Sequence, residues 1–288
     1  MAKGRELKGR IKSVENTRKI TRTMEMVATS KMKRAHDRVV AARPYAAALG
    51  DVISRLYSPE LAERFPLLRQ PAATRRAAII VMTANRGLAG AFNANLIKEA
   101  RGLIGRLEGE GVEVELHAVG RKGLGYFRYV GRAVASSRID IGDRPSAKDA
   151  ADLVDGLMEA FATGRLDAVY VVYAHFKSAI STPPTTDRIL PVAPPSGEAG
   201  AQRDYLLFPS AEEILTTLLP AYVRNAVYRA LVEDTAAFYS AQRTAMKNAT
   251  DNASDMLNIL RRTYNRARQA NITQEIAEIV GGAAALQG

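Results

Sequence analysis

The chain has 288 residues, of which 47% are hydrophobic and 25% charged, so it can bury a core in one or two domains. It contains no cysteine, which excludes a disulfide scaffold, a thiolate metal site and a cysteine nucleophile. The three histidines, His36, His117 and His175, are scattered, so we expect no histidine-based metal site and no cofactor. No apolar run approaches the ~20 residues that span a bilayer, and the opening residues lack the apolar segment of a secretory signal. We therefore expect a reducing, cytosol-like compartment.

The net charge of +11 is concentrated in the first part of the chain. Residues 1–43 hold 13 Lys and Arg against 4 Asp and Glu, whereas residues 44–220 hold 20 against 20 and residues 221–288 hold 8 against 6. Basic side chains on one element favour an acidic partner surface or nucleic acid along that element. Glutamates are interleaved with these cations and no Phe, Tyr or Trp precedes Tyr45, so side chains that stack on bases are missing. A coiled-coil nucleic-acid-binding protein is therefore kept as the alternative interpretation.

Two stretches without helix breakers predict a long helix at each end of the chain. All 12 prolines lie between Pro44 and Pro220, and neither Gly nor Pro occurs in residues 10–43 or 221–280. Because proline costs ~3 kcal/mol inside a helix and glycine ~1 kcal/mol, we expect coiled-coil helices over residues 1–58 and 210–288. Stripes with steps of three and four residues run along both helices, and we predict that the helices pair antiparallel. The predicted stripes include Thr17, Thr21 and Ala28 in the first helix, and Met246, Ala253 and Met256 in the last.

The middle of the chain predicts an inserted α/β domain over residues 75–209. Apolar or alternating runs predict strands over residues 77–83, 112–120 and 167–176, and helices are predicted near residues 89–107, 121–130 and 146–163. Alternation of strand and helix indicates a Rossmann-like, mostly parallel sheet with right-handed crossovers. The proline-rich residues 181–200 predict a loop with room for one edge strand. Ser146 with Asp149, and Ser210 with Glu213, have the spacing of helix N-terminal caps.

Two glycine-containing turns follow predicted strands, where a phosphate could sit on a helix N-terminus. The turn TANRGLAGAFNANL, residues 83–96, lacks the third glycine of the dinucleotide fingerprint and the Lys-Ser/Thr pair of a P-loop. The turn GRKGLGYF, residues 120–127, fails in the same way. We interpret both as tight turns of an α/β sheet and assign no catalytic, cofactor-binding or metal-binding residue. A nucleotide-binding enzyme is the less favoured hypothesis.

Four segments resemble the gamma subunits of F-type ATP synthases. They are IKSVENTRKITRTMEMVATSKMKRA near the start, RGLAGAFN and AMKNATDNA inside the chain, and ITQEIAEIVGGAAAL at the end. They occur in the family's order and cover both ends and the middle of the chain. Asn85 and Ala89 stand where relatives often carry Asp and Cys. The cysteine-bearing insert of chloroplast relatives is missing, so control by thiols is not expected.

The resemblance implies a non-catalytic rotor subunit. Its terminal helices would form an antiparallel shaft inside a ring of three alpha and three beta subunits, while the α/β domain would sit with epsilon on the membrane c-ring. Proton flow through the c-ring would turn the shaft, which would drive each beta subunit in turn through its conformations for ATP synthesis, or the reverse in hydrolysis. The resemblance places the protein on the cytoplasmic side of the bacterial inner membrane, attached only through the c-ring. The Met, Thr, Ser, Ala and Lys side chains of residues 20–35 suit a shallow surface that slides past three partners.

The same resemblance implies individual contacts. Beta-subunit contacts are expected at Lys19, Met24, Lys31, Arg243, Arg268, Gln269, Thr273 and Glu275. An epsilon contact is expected at Tyr205. The apolar tail that would sit in the alpha–beta sleeve comprises Ile272, Ile276, Ile279 and Ala283.

Overall fold

The computed structural model describes residues 2–56, 64–192 and 210–287. The elements, in chain order, are helix α1 (Ala2–Leu56), a 3-10 turn (Pro66–Leu68), β1 (Arg76–Met82), α2 (Phe92–Gly109), β2 (Glu113–Val119), α3 (Arg121–Tyr129), β3 (Ser136–Arg138), α4 (Ala147–Ala162), β4 (Ala168–Ala174), β5 (Pro184–Leu190) and α5 (Ala211–Gln287). Contacts divide the chain into two compact units. We call residues 29–242 the sheet unit and residues 1–28 with 243–288 the coiled-coil unit.

The two long terminal helices were predicted from the absence of breakers, and they extend further than that absence required. Helix α1 includes Pro44 and helix α5 includes Pro220. The Oγ of Ser210 accepts a hydrogen bond from the backbone N of Glu213 at 3.2 Å, as its spacing predicted. Ser146 and Asp149 likewise form the predicted reciprocal capping box at the start of α4.

Among the described residues, the sheet of the sheet unit has five strands in the order β3-β2-β1-β4-β5. Strands β1 to β4 pair in parallel, and β5 pairs antiparallel with β4 at one edge. The α/β class and the mostly parallel sheet are therefore confirmed. Strand β5 supplies the edge strand for which the proline-rich segment left room. The three-residue β3 was not predicted, because its sequence Ser-Ser-Arg has neither apolar content nor alternation.

Alternate residues of the buried strands face two separate layers of helices. On one face, Ala78, Ile80 and Met82 of β1 pack with α4 and with the apolar side of α5 between Leu215 and Leu231. On the other face, the intervening residues of β1 pack with α2 and with Val232 and residues 236–239 of α5. A strand buried on both faces reads as a continuous apolar run, which is why β1 was recognisable in the sequence.

The coiled-coil unit contains two antiparallel helical segments. The hydroxyl oxygens of Thr21 and Thr250 are 2.8 Å apart, and a guanidinium nitrogen of Arg261 lies 2.5 Å from a carboxylate oxygen of Glu15. The earlier residue of α1 pairs with the later residue of α5, so the two segments run in opposite directions. This confirms the antiparallel pairing within the unit. The side chains buried in it include Thr21, Ala28, Met246, Ala253 and Leu257.

The predicted stripe is wrong at two positions. Thr17 is exposed and its hydroxyl donates to the carbonyl of Ser13, and Met256 is 53% exposed while its neighbour Leu257 is 1% exposed. The step from Ala253 is therefore four residues instead of three. A helix with 3.6 residues per turn needs such a longer step whenever a stripe of threes drifts away from the partner.

Candidate partner-binding surfaces

The carboxyl edge of the sheet is where an α/β fold of this kind usually holds its ligand. The chain leaves β1 toward one face and reaches β4 from the other, so the crevice between them is a topological switch point. In this chain α5 packs against that crevice through residues that include Leu231, Asp234 and Phe238. The remaining cavity has a volume of about 90 Å³, whereas drug-sized ligands occupy clefts of roughly 300–1,000 Å³. The protein's own helix covers the crevice in which folds of this kind usually bind a ligand.

The second glycine turn is explained by close packing. Gly120 has a φ of +89°, and a Cβ at this position would lie 1.9 Å from the carbonyl oxygen of Thr83. The Oγ1 of Thr83 donates to the carbonyl of Val119 at 2.8 Å and accepts from the backbone N of Gly123 at 2.9 Å. The glycines let the start of α3 approach the end of β1. Their role here is structural.

The first glycine turn is held by asparagine side chains. The Oδ1 of Asn93 accepts from the backbone N of Ala84 at 2.9 Å, and Asn85 bonds both the backbone N of Arg121 and the carbonyl of Ile141. Leu88, at the tip, has a φ of +64° and is 63% exposed. The turn therefore presents an apolar side chain on a well-anchored backbone.

Lys31, one of the predicted beta contacts, lies in a polar cluster of the sheet unit. Its Nζ is 2.7 Å from Oδ2 of Asp143 and 3.2 Å from the hydroxyl of Tyr239, and Arg38 donates to the carbonyl of Asp143 at 3.0 Å. Burial alone would raise the pKa of Asp143, but the hydrogen bonds from Lys31 and Tyr239 outweigh it and lower that pKa. Burial, reinforced by Asp143, raises the pKa of Tyr239. The ammonium of Lys31 therefore has internal partners, and its contact with beta stays a prediction.

Two buried acids on α5 were missed in the sequence. The Oδ1 of Asp234 accepts from the backbone N of Ala174 at 3.0 Å, and Glu233 lies 2.5 Å from Nδ1 of His175. Burial raises the pKa of Asp234 to about 7, although the bond from Ala174 opposes that rise. An acidic pair inside an apolar helical stretch was the available signal, since Asp and Glu are almost never buried without partners.

The coiled-coil unit places most of the predicted contact residues on its surface. Lys19, Arg268, Gln269, Thr273 and Glu275 are exposed, while Met24 and Arg243 are half-buried. The tail residues Ile272, Ile276, Ile279 and Ala283 are all exposed. Tyr205, the predicted epsilon contact, lies outside the described residues.

Apolar side chains also lie on the surface of the coiled-coil unit away from its tail. Ile20 and Met26 are each 59% exposed and Ile259 is 64% exposed. The paired helices thus expose apolar side chains together with arginine and lysine, and the crevice of the α/β unit is covered by the protein's own helix. These two features are typical of a subunit that works through contact with other proteins. In the part of the chain that the structure describes, no helix is long and apolar enough to cross a membrane, and no cluster of His, Asp and Glu could hold a metal ion.

Comparison with known proteins identifies the family. A family model described as ATP synthase matches residues 3–286. The ATP synthase gamma chain of Gemmatimonas aurantiaca is 71% identical over 100% of both chains, and that of Moorella thermoacetica is 46% identical over 100% of both. The chain belongs to the ATP synthase family and is a gamma subunit of the F-type enzyme.

Solved structures agree with this assignment. A chain from the central stalk and c-ring of the Tetrahymena thermophila mitochondrial ATP synthase shares 25% identity, with a TM-score of 0.62 over 80% of this chain and 99% of that one. A chain of the Euglena gracilis mitochondrial ATP synthase has a TM-score of 0.68 over 99% and 95% at 21% identity, which concerns the fold alone. These comparisons lend no support to the nucleic-acid-binding alternative.

Proposed function

We propose that this chain is the turning shaft of its ATP synthase and performs no bond chemistry itself. It would connect a membrane c-ring, through which protons flow, to the catalytic sites of three beta subunits. Its partners would be three alpha and three beta subunits, epsilon and the c-ring. The complex would lie on the cytoplasmic side of the bacterial inner membrane, where the c-ring is the chain's only attachment to the bilayer.

One observation carries this proposal. Every described side chain from residue 272 to residue 283 is exposed, although the segment includes three isoleucines and a valine. Ile279 is 72% exposed and Val280 is 62% exposed. A helical tail that keeps such side chains in water is expected to be covered by a partner. The apolar sleeve of an alpha–beta ring would cover it without fixing its angle of rotation.

The mechanism we propose is rigid-body allostery. A shaft that presents different side chains in different directions favours a different conformation in each of three beta subunits. Exposed Arg268 and Gln269, with Thr273 and Glu275 one turn or more later, would contact beta loops at particular rotor angles. Lys19, Met24 and Arg243 would contribute from elsewhere on the shaft, and Tyr205 would contact epsilon.

Reconstitution tests the function. The purified chain is mixed with alpha and beta subunits, and the stoichiometry and ATP hydrolysis of the product are measured. We expect one copy of the chain with three alpha and three beta subunits, and no hydrolysis by the chain alone. ATP hydrolysis by the isolated chain, or failure to enter the ring, would contradict the proposal.

Arg268→Ala tests an individual contact, with Arg266→Ala as its matched control. Two residues apart, these arginines point about 160° away from each other around the helix. Both are exposed, so neither loss should disturb the fold. We expect Arg268→Ala to lower ATP-driven proton pumping relative to hydrolysis, because a guanidinium donates two hydrogen bonds to one carboxylate or carbonyl partner. Equal pumping by the two variants would remove Arg268 from the contact surface.

A further inference from the structure

Helix α5 carries two consecutive carboxylates that are buried at the end of β4. Glu233 is 2% exposed and Asp234 is 8% exposed. Neighbouring positions on a helix point about 100° apart, so a single partner cannot satisfy both side chains. A buried carboxylate without a partner is strongly disfavoured. The structure supplies each of them with its own donors.

Those donors are backbone amides that the sheet leaves unpaired. Strand β4 pairs with β1 only as far as Val172, and beyond that point the backbone N of His175 donates to Pro183 on the β5 side. Successive residues in an extended chain direct their amides to opposite sides. Ala174 and Phe176 flank His175, so they direct theirs away from β5. Their amides therefore lack strand partners.

The two acids of α5 accept these amides. The Oδ1 of Asp234 lies 3.0 Å from the backbone N of Ala174, and the Oε2 of Glu233 lies 3.3 Å from the backbone N of Phe176. The same Oε2 lies 2.5 Å from Nδ1 of His175. Arg229, one turn earlier on α5, brings a guanidinium nitrogen to 3.7 Å from the other oxygen of Glu233. We call Glu233 and Asp234 the acid clamp.

The rest of the contact at this level of α5 is made by apolar and aromatic side chains. Val232, Ala236 and Ala237 are buried against the sheet together with Phe238 and Tyr239. Apolar contact is non-directional, so it resists a small rotation or shift of a helix less sharply than hydrogen bonds do. Hydrogen bonds weaken steeply when their distance or angle changes. The acid clamp therefore adds directional contacts that restrain the rotation and the height of α5 against β4.

Helix α5 continues beyond Gln242 into the coiled-coil unit. We propose that Glu233 and Asp234 are positioning residues that form a torque-bearing joint, which locks the rotation of α5 to the sheet. This inference rests on the proposed function, since torque passes through the chain only if it is a rotor. The inference adds to that function the residues through which the sheet holds α5.

The test uses the assembled complex in inverted membrane vesicles. The double variant Glu233→Met/Asp234→Leu keeps roughly the size of both side chains and removes their acceptor oxygens, and Glu213→Met is the matched control at an exposed position of the same helix. We measure ATP hydrolysis, the proton gradient that ATP sustains, and hydrogen exchange of the backbone amides. A weakened joint slips under load, so hydrolysis without a gradient should be nearly unchanged while the sustained gradient falls several-fold. Exchange at Ala174 and Phe176 should quicken at least about tenfold because their amides lose their acceptors, and Glu213→Met should change neither the gradient nor the exchange.

A normal gradient despite faster exchange at these two amides would overturn the joint. An equal rise of exchange at Ile79 in β1 would show that the acids hold the sheet together without locking the helix, and would overturn it as well. A complex with the unaltered chain that sustains no gradient would contradict the proposed function itself.

Discussion

Leu257→Ala should loosen the coiled-coil unit, whereas Met256→Ala, one position away, should not. Leu257 is 1% exposed and Met256 is 53% exposed, so only the first substitution leaves a cavity. Truncating a buried leucine to alanine typically costs about 2–5 kcal/mol. The buried set of this unit is small and consists largely of alanine, threonine and methionine. Few neighbours can therefore move in to fill the space.

Hydrogen exchange of the amides around Ala253 is the assay, because it reports local opening free energies. If the unit opens locally, a loss of about 3 kcal/mol corresponds to exchange more than a hundredfold faster, since each 1.4 kcal/mol is a factor of ten. Met256→Ala should shift exchange by less than about tenfold, as expected for an exposed site. Equal effects of the two substitutions would refute the assignment of Leu257 to the buried stripe and with it the antiparallel register.

The remaining predictions concern three other features. Asp234→Asn should remove a pH dependence of stability: because the pKa of Asp234 is raised to about 7 in the folded chain, its protonated form stabilises the fold as pH falls, by about 1.4 kcal/mol between pH 8 and pH 6. Thermal unfolding followed by circular dichroism at both pH values, compared between the two chains, measures this difference, and parallel curves would contradict it. Cysteines at Thr21 and Thr250, whose hydroxyl oxygens are 2.8 Å apart, should form a disulfide in a chain with no other cysteine, whereas the pair Thr17 and Thr250 should not. Gly120→Ala should destabilise the sheet unit by more than about 2 kcal/mol, because a Cβ there would meet Thr83 at 1.9 Å. Gly125→Ala, inside α3 and with open space around it, should not destabilise the unit in the same melt, because alanine is favoured over glycine within a helix.

Much of the fold could be predicted because its signals are local. Strand β1 is a continuous apolar run, and the long helices follow from stretches free of breakers. The exact face of a helix is harder, since a stripe of small and polar residues fits two neighbouring registers; Met256 was predicted where Leu257 lies. Strand β3 has no local signal, and only its pairing with β2 makes it a strand. Packing decides both cases.

The candidate surfaces divide in the same way. The resemblance pointed to Arg268 and the apolar tail, and these positions are exposed. Their exposure on a terminal helix depends on the segment itself, so it could be predicted from the sequence. Lys31 shows the limit: its partner Asp143 is 112 residues away in sequence, and spacing along the helix contains no information about it. The acid clamp was missed for the same reason. Its meaning depends on two amides at the end of a distant strand.

The helix in the crevice at the switch point has a consequence for the design of inhibitors. In most proteins of this architecture the crevice is open to exchange with a dissolved ligand. Here the occupant is part of the same chain, and a tethered group acts at an effective concentration on the order of millimolar or higher. A compound directed at the residual 90 Å³ between Met82, Asp143 and Phe238 would have to displace it. Selective small molecules are therefore better sought at the surfaces that α5 leaves uncovered.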